Sequence, residues 1–344
     1  MIDLRASRAD IGDKAGEWKD RLKSFLFDKR SGKQKLMDGR RTVSKHDTFY
    51  EKMEADADYR FVTGRLTAAE RDWVKKELRW FNRNFETVVL AGEHELLKQK
   101  NNYVRRALRT TAVGKNAFKE LMENLYTKFT QSDCGKGKST SHYFFEELNI
   151  RTCPYCNRQY TFTLSEVDAK TSPEYDHFYA KSDYPILAVS FYNLVPSCHV
   201  CNQIKGVKKT VKVNPYFGGF KCKFKLYDKK KNGKKMNALE ILNKGEGYLN
   251  FDGANMAEKS NIKAFGLNGL YELHDDYVKD IIEKAAAYNK VSREMIADTF
   301  QKRGYTPDQV YDFVWGKYLD DSQLENRVLS KLTKDLLEQL DIKK

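Results

Sequence analysis

The chain has 344 residues, of which 40% are hydrophobic and 13% aromatic, and its 62 lysines and arginines outnumber 48 acidic residues. This composition excludes a largely disordered chain, because it can bury enough apolar surface to offset the entropy lost on folding. The net charge of +14 favours an anionic partner such as nucleic acid, although an acidic protein or a membrane surface would satisfy the same balance. We expect a cytoplasmic protein with no membrane partner, because the amino end is charged and no stretch of about 18 apolar residues occurs.

Residues 1–150 have the pattern of a helical region. The segment from Thr67 to Glu70 reads as a capping box, which marks a helix start. Further along, apolar residues recur at helical spacing and predict one buried stripe: Phe118, Leu121, Met122, Leu125, Tyr126 and Phe129.

Residues 151–250 change to short strands and turns. Phe220, Cys222, Phe224 and Leu226 alternate with Lys221, Lys223, Lys225 and Tyr227, which predicts a strand with one apolar and one basic face. Asn232-Gly233 then predicts a tight hairpin turn. Residues 251–344 return to a helical pattern, so we predict three consecutive regions: 1–150, 151–250 and 251–344.

Four of the six cysteines form two close pairs, Cys153-Pro-Tyr-Cys156 and Cys198-His-Val-Cys201. A two-residue gap lets both thiolates of a turn point at one tetrahedral metal, so the pairs predict a structural zinc site. The alternative is redox chemistry, for which one such pair would suffice. Zinc would also fix the two ends of the segment that lies between the pairs.

That segment contains the adjacent residues Asp176 and His177, and Asn202 directly follows Cys201. A carboxylate and an amide oxygen suit a hard cation such as Mg²⁺ or Mn²⁺, while an imidazole can take a proton from water. The set favours phosphodiester hydrolysis.

These residues, together with Asn193 and Lys205 in the run Asn193-Leu-Val-Pro-Ser-Cys198, Cys201-Asn202-x-x-Lys205, resemble the HNH endonuclease family. The resemblance implies an α+β protein in which a ββα-metal core with a four-cysteine zinc site lies between helical amino- and carboxy-terminal regions. It further implies that His177 is the general base and that Asp176 and Asn202 hold the catalytic metal. Asn193 would brace the loop between the strands. Asn202 stands where the family name expects a third histidine, and we interpret His199 as a surface or phosphate-contacting residue.

The segment after the second cysteine pair is strongly basic, with twelve lysines against Asp228 alone from Cys201 to Leu239. Such a run is usually a solvated face, but beside the metal motif it favours contact with phosphates. The lysines that we predict to bind nucleic acid, DNA rather than RNA, are Lys205, Lys208, Lys209, Lys221, Lys223 and Lys225.

Two functions remain open: a metal-dependent endonuclease, and a zinc-stabilised nucleic-acid-binding protein that does not cut. The long helical flanks and the Cys-Pro-Tyr-Cys turn look similar to nuclease effectors of bacterial anti-phage systems, including Septu-type systems that use an ATPase partner subunit. A restriction or mobile-element nuclease fits the same residues.

Overall fold

The computed structural model describes residues 1–29, 34–35, 42–43, 48–135, 137–165, 170–207, 209–228, 233–288 and 290–342. Its helices are α1 (Leu4–Ser7), α2 (Ile11–Phe27), α3 (Phe49–Val62), α4 (Ala68–Arg83), α5 (Phe85–Val89), α6 (Glu93–Ala107), α7 (Ala112–Thr130), α8 (Thr140–Leu148), α9 (His199–Lys205), α10 (Ala238–Lys244), α11 (Met256–Phe265), α12 (Leu267–Glu272), α13 (Asp275–Ala287), α14 (Lys290–Gln301), α15 (Pro307–Trp315) and α16 (Ser330–Gln339).

The strands are short and pair two by two. They are β1 (Gln34–Lys35), β2 (Thr42–Val43), β3 (Leu164–Ser165), β4 (Lys170–Thr171), β5 (Glu174–His177), β6 (Leu194–Ser197), β7 (Lys223–Tyr227) and β8 (Tyr248–Asp252). Each odd-numbered strand pairs with the next one, in four two-stranded sheets within the described ranges. The protein is therefore mixed α and β, as predicted.

The chain forms two compact units that interleave along the sequence. Unit 1 comprises residues 1–9, 150–162 and 196–344, and unit 2 comprises residues 10–149 and 163–195. The predicted division at residues 150 and 250 does not follow these units, because residues 151–250 are shared between them. Changes in local sequence pattern mark where helices give way to strands, whereas long-range packing decides which segments share a core.

Unit 2 is built mainly from α2 to α8 and buries aromatic side chains at its centre. The Trp18 ring is fully buried and meets Phe129 and Phe144 edge-on, with centroid distances of 4.8 and 4.9 Å. Burial of one such large side chain contributes about 1.5–3 kcal/mol. The predicted capping box is confirmed at the start of α4, where Thr67 accepts from the Glu70 amide and the Glu70 carboxylate accepts from the Thr67 amide.

Unit 1 contains the antiparallel pair β7–β8, in which Phe224 lies opposite Phe251. The predicted alternation is confirmed on the apolar side, since Cys222, Phe224 and Leu226 are buried. The predicted Asn-Gly turn lies partly outside the described residues at Asn232, but Met236 N donates to Leu226 O at 3.0 Å across it. The main partner of β7 is nevertheless β8, which follows α10 in the sequence.

None of the described helices combines the length and the apolar character needed to span a lipid bilayer.

Candidate zinc centre and candidate active site

The first cysteine pair lies in a tight turn of unit 1 between two paired segments. Thr152 pairs with Tyr160, and Cys153 N donates to the carbonyl of Gln159 at 2.9 Å. The turn closes at Asn157, whose φ of 48° lies in the left-handed region that asparagine tolerates better than most residues. Both thiols therefore come from one short hairpin.

The second cysteine pair starts α9. Cys198 is the residue that caps this helix, and its sulfur accepts from the amide of Cys201 at 3.4 Å. In the first turn, Cys156 Sγ likewise accepts from the amide of Arg158 at 3.4 Å. Amide donors of this kind stabilise negative charge on sulfur, which suits thiolate ligands.

The structure brings the four predicted ligands together. Sγ atoms of Cys153, Cys156, Cys198 and Cys201 all lie within 4.8 Å of one another, and all four residues are buried. Cys156 Sγ and Cys198 Sγ are 3.9 Å apart. Sulfurs of a tetrahedral zinc site with Zn–S bonds near 2.3 Å stand about 3.8 Å apart, so the four residues fit a structural zinc ion.

The charge balance of this cluster also favours a cation. Burial raises the pKa of the Cys153 thiol. The pKa of the Cys156 thiol is lowered, mainly by its hydrogen bond with Cys153. Four thiols this close together cannot all ionise unless a positive charge lies among them. The two isolated cysteines, Cys134 and Cys222, do not belong to this cluster. Cys134 lies in unit 2, while burial raises the pKa of the Cys222 thiol to about 12.

Asn157, which the sequence analysis did not single out, fastens the first cysteine turn to the carboxy-terminal part of unit 1. Its Nδ2 donates to the carbonyls of Leu324 and Arg327, both at 3.1 Å, and its Oδ1 accepts from Lys331 N at 3.1 Å. The Tyr271 hydroxyl donates to the carbonyl of Cys156. In the sequence, the asparagine directly after Cys156 indicates that the cysteine turn ends in a left-handed residue, because asparagine is enriched in that conformation.

The predicted general base lies on β5 in unit 2. Asp176 is 3% exposed, while His177 is half-buried. His177 Nε2 lies 3.0 Å from the carbonyl oxygen of Ala188. A carbonyl can only accept, so Nε2 carries the proton and Nδ1 is the basic nitrogen of the neutral ring. The ring also meets Tyr126 of α7 edge-on, at a centroid distance of 4.7 Å.

Asn193 is fully buried and ties together the loop that joins β5 to β6. Its Oδ1 accepts from the amide of Tyr179 at 2.8 Å, while its Nδ2 donates to the carbonyls of Tyr179 at 3.1 Å and Leu187 at 3.0 Å. One side chain therefore bridges both ends of this loop.

Asn202 lies on α9 in unit 1, where it is half-buried, and His199 is exposed at the first position of the same helix. Asp176, His177 and Asn193 belong to unit 2. Along the chain, β5, β6 and α9 follow one another in strand, strand, helix order, and β5 pairs with β6.

The predicted lysine surface is only partly exposed. Lys205 is only 3% exposed, so it is buried and not a surface residue as its predicted contact with nucleic acid requires. Lys208 lies outside the described residues. Lys209 and Lys221 are exposed. Lys223 forms an ion pair with Glu338 of α16, and burial lowers the pKa of Lys225. Local alternation predicts which side of a strand a lysine occupies, but not which carboxylate it meets.

Comparisons of this chain with protein-family models, with curated proteins and with solved structures find no match.

Proposed function

We propose that this protein is a metal-dependent endonuclease of the HNH type that hydrolyses phosphodiester bonds of nucleic acid, with DNA favoured over RNA. The observation that carries the proposal is the bond between His177 Nε2 and the Ala188 carbonyl, which makes Nδ1 the basic nitrogen. The fit of the four cysteines to zinc and the bonds of Asn193 around the same loop support it.

In this proposal the neutral imidazole of His177 takes a proton through Nδ1 from a water that attacks phosphorus. Ala188 holds the opposite side of the ring, so the imidazole gains a proton without changing its orientation. The bond from phosphorus to the 3′ oxygen breaks, and the products carry a 5′ phosphate and a 3′ hydroxyl.

A divalent cation such as Mg²⁺ or Mn²⁺ would supply positive charge for the phosphate and for the departing 3′ oxygen. The resemblance names Asp176 and Asn202 as the residues that would hold it. Carboxylate and amide oxygens are suitable ligands for such a cation. This part of the proposal is tested by metal-dependent cleavage.

The test is incubation of the purified chain with plasmid DNA and with RNA in Mg²⁺, in Mn²⁺ and in EDTA. We expect scission that needs the metal and that His177→Ala lowers by about 10²–10⁴-fold, the usual contribution of a general base. His94→Ala, which changes an exposed histidine of α6, is the matched control and should cut like the wild-type protein.

The second candidate is a zinc-stabilised protein that binds nucleic acid without cutting, since the buried cysteine cluster would serve either function. A folded, zinc-loaded chain that binds DNA but cuts no substrate with either metal, alone or with a copurifying partner, would establish this alternative.

For the biological role, we propose an effector nuclease of a bacterial anti-phage system that works with an ATPase subunit. This proposal rests on the resemblance of the flanks and the Cys-Pro-Tyr-Cys turn to Septu-type effectors. Copurification of an ATPase with the tagged chain from its native host would support it, whereas activity as a lone restriction or mobile-element nuclease would contradict it.

A further inference from the structure

Two lysines of unit 2 lie against aromatic rings beside the loop that follows His177. Lys181 Nζ is 4.4 Å from the ring centroid of Tyr126 on α7. Lys100 Nζ, from α6, is 4.7 Å from the ring centroid of Tyr179 and 5.1 Å from that of Tyr184. Cation–π contacts of this kind hold an ammonium group in place without neutralising its charge.

Within the part of the chain that the structure describes, no ion pair involves Lys100 or Lys181, and both side chains are half-buried. Burial lowers the pKa of Lys181, and the more distant carboxylate of Glu123 only partly opposes this effect. A half-buried ammonium group without a counter-ion gains more from a bound anion than a solvated surface lysine does.

The backbone around these lysines is well fastened. Tyr179 exchanges two hydrogen bonds with the Asn193 side chain, and the amides of Asp183 and Tyr184 both donate to the Ala180 carbonyl. Helices α6 and α7 both pack against the 3₁₀ turn Pro185–Leu187 within this loop. An anion would therefore bind side chains that are already ordered, which lowers the entropic cost of binding.

The Tyr126 ring contacts both Lys181 and His177, at 4.4 and 4.7 Å. A nucleic acid held at Lys181 would consequently lie close to the imidazole that the proposed reaction uses. Two of the lysines predicted from the basic run are less suited to bind a phosphate, since Lys205 is buried and the charge of Lys223 is neutralised by Glu338.

We infer that Lys100 and Lys181 bind backbone phosphates of the nucleic-acid substrate beside the scissile bond. This inference rests on the proposed nuclease function and names the residues that seat its substrate. The two side chains touch substrate rather than the proton being transferred, so their loss should weaken binding more than turnover.

The experiment measures the affinity of a short labelled DNA duplex, and of RNA of the same sequence, at several salt concentrations in EDTA. We expect Lys100→Gln and Lys181→Gln each to lower the slope of log affinity against log salt for duplex DNA by about 0.9, the value for one lost phosphate contact. Lys100→Arg and Lys181→Arg should keep the wild-type slope. Lys98→Gln is the control, because Lys98 lies on the same helix, is exposed and pairs with Glu95.

Cleavage kinetics separate this inference from the proposed function. In the presence of metal, we expect both glutamine variants to raise KM by more than they lower kcat. Metal-dependent cleavage with unchanged salt slopes and unchanged KM in both variants overturns the inference and leaves the nuclease intact. Reduced salt slopes in a chain that never cuts support the phosphate contacts and contradict the nuclease. Equal loss of slope in Lys98→Gln also overturns the inference.

Discussion

Asn157 combines a left-handed backbone with a side chain that bonds to three carboxy-terminal residues of unit 1. We expect Asn157→Ala to lower the free energy of unfolding more than Asn157→Gly does. Both changes remove the side-chain bonds, but alanine adds a left-handed strain of roughly 1–2 kcal/mol that glycine avoids. Denaturant unfolding of the zinc-saturated variants measures the difference. Equal losses in the two variants would show that the backbone conformation contributes nothing.

The cysteine cluster makes a second prediction at the level of single residues. Cys153→Ala should reduce zinc from about one ion per chain to nearly none, because three thiolates leave a tetrahedral structural site incomplete. The turn should lose its order together with the metal. Elemental analysis and circular dichroism measure the two effects.

Cys134→Ala is the matched control for zinc content, since Cys134 lies in unit 2 and outside the cluster. His177→Ala should also keep its zinc, since the imidazole is not a ligand of the cluster. Zinc loss from His177→Ala equal to that from Cys153→Ala would contradict the separation between structural and catalytic sites.

At the level of elements, α16 stabilises one edge of β7. Asp335 Oδ2 accepts from Phe224 N at 2.9 Å, while Gln339 Oε1 accepts from Leu226 N at 2.8 Å and its Nε2 donates to the Leu226 carbonyl. Backbone groups that an edge strand leaves open are thus paired by side chains of a helix. This pairing depends on polar residues of α16, which no apolar periodicity reveals.

The buried position of Asp335 gives a pH prediction. Burial raises its pKa, although Lys331 and the Phe224 amide lower it in part. Between the pKa of the unfolded state and the raised pKa of the folded state, the folded chain holds a proton that the unfolded chain releases. The contribution of Asp335 to stability therefore falls as pH rises from about 4, the ordinary aspartate pKa, and levels off above the raised pKa. Asp335→Asn cannot ionise and lacks this fall.

The measurement is the difference in free energy of unfolding between the wild type and Asp335→Asn, taken at several pH values. As pH rises, the free energy of unfolding of the wild type should fall relative to that of the variant. The fall should be about 1.4 kcal/mol for each unit by which folding raises the pKa of Asp335. Zinc release at low pH affects both proteins, so it largely cancels in the difference. A difference that grows in favour of the wild type instead would mean that the ion pair with Lys331 outweighs burial.

The sequence predicted elements better than it predicted their partners. Two-residue gaps in the cysteine pairs predicted their local turns, and the same spacing correctly predicted that all four thiols meet. The alternation of Phe224 and Leu226 predicted a strand, but β8, its main partner, lies beyond a helix and has no pattern that specifies β7. Asn193 bonds to Tyr179 and Leu187 within the loop between β5 and β6, and no spacing rule would have named those partners.

At the scale of the whole molecule, the sequence could not predict two units whose segments alternate along the chain. Residues 150–162 share a unit with 196–344, while 163–195 fold with the amino-terminal helices. The four clustered cysteines come from two separated segments of unit 1, and the aromatic core around Trp18 lies in unit 2. A metal bound by these four cysteines would therefore be held by unit 1, since none of the four lies in unit 2.

This division predicts that zinc removal acts on one unit. Hydrogen exchange followed by mass spectrometry should show faster exchange in 150–162 and in α9 after treatment with a strong zinc chelator. Residues 112–130 of α7 should keep their protection, because Phe118, Leu121 and Phe129 are fully packed without a metal ligand among them. Readdition of zinc should restore slow exchange, and a chain carrying Cys153→Ala should exchange like the chelated protein from the start. Uniform acceleration across both units would instead mean that the protein unfolds as one cooperative body whose stability depends everywhere on the metal.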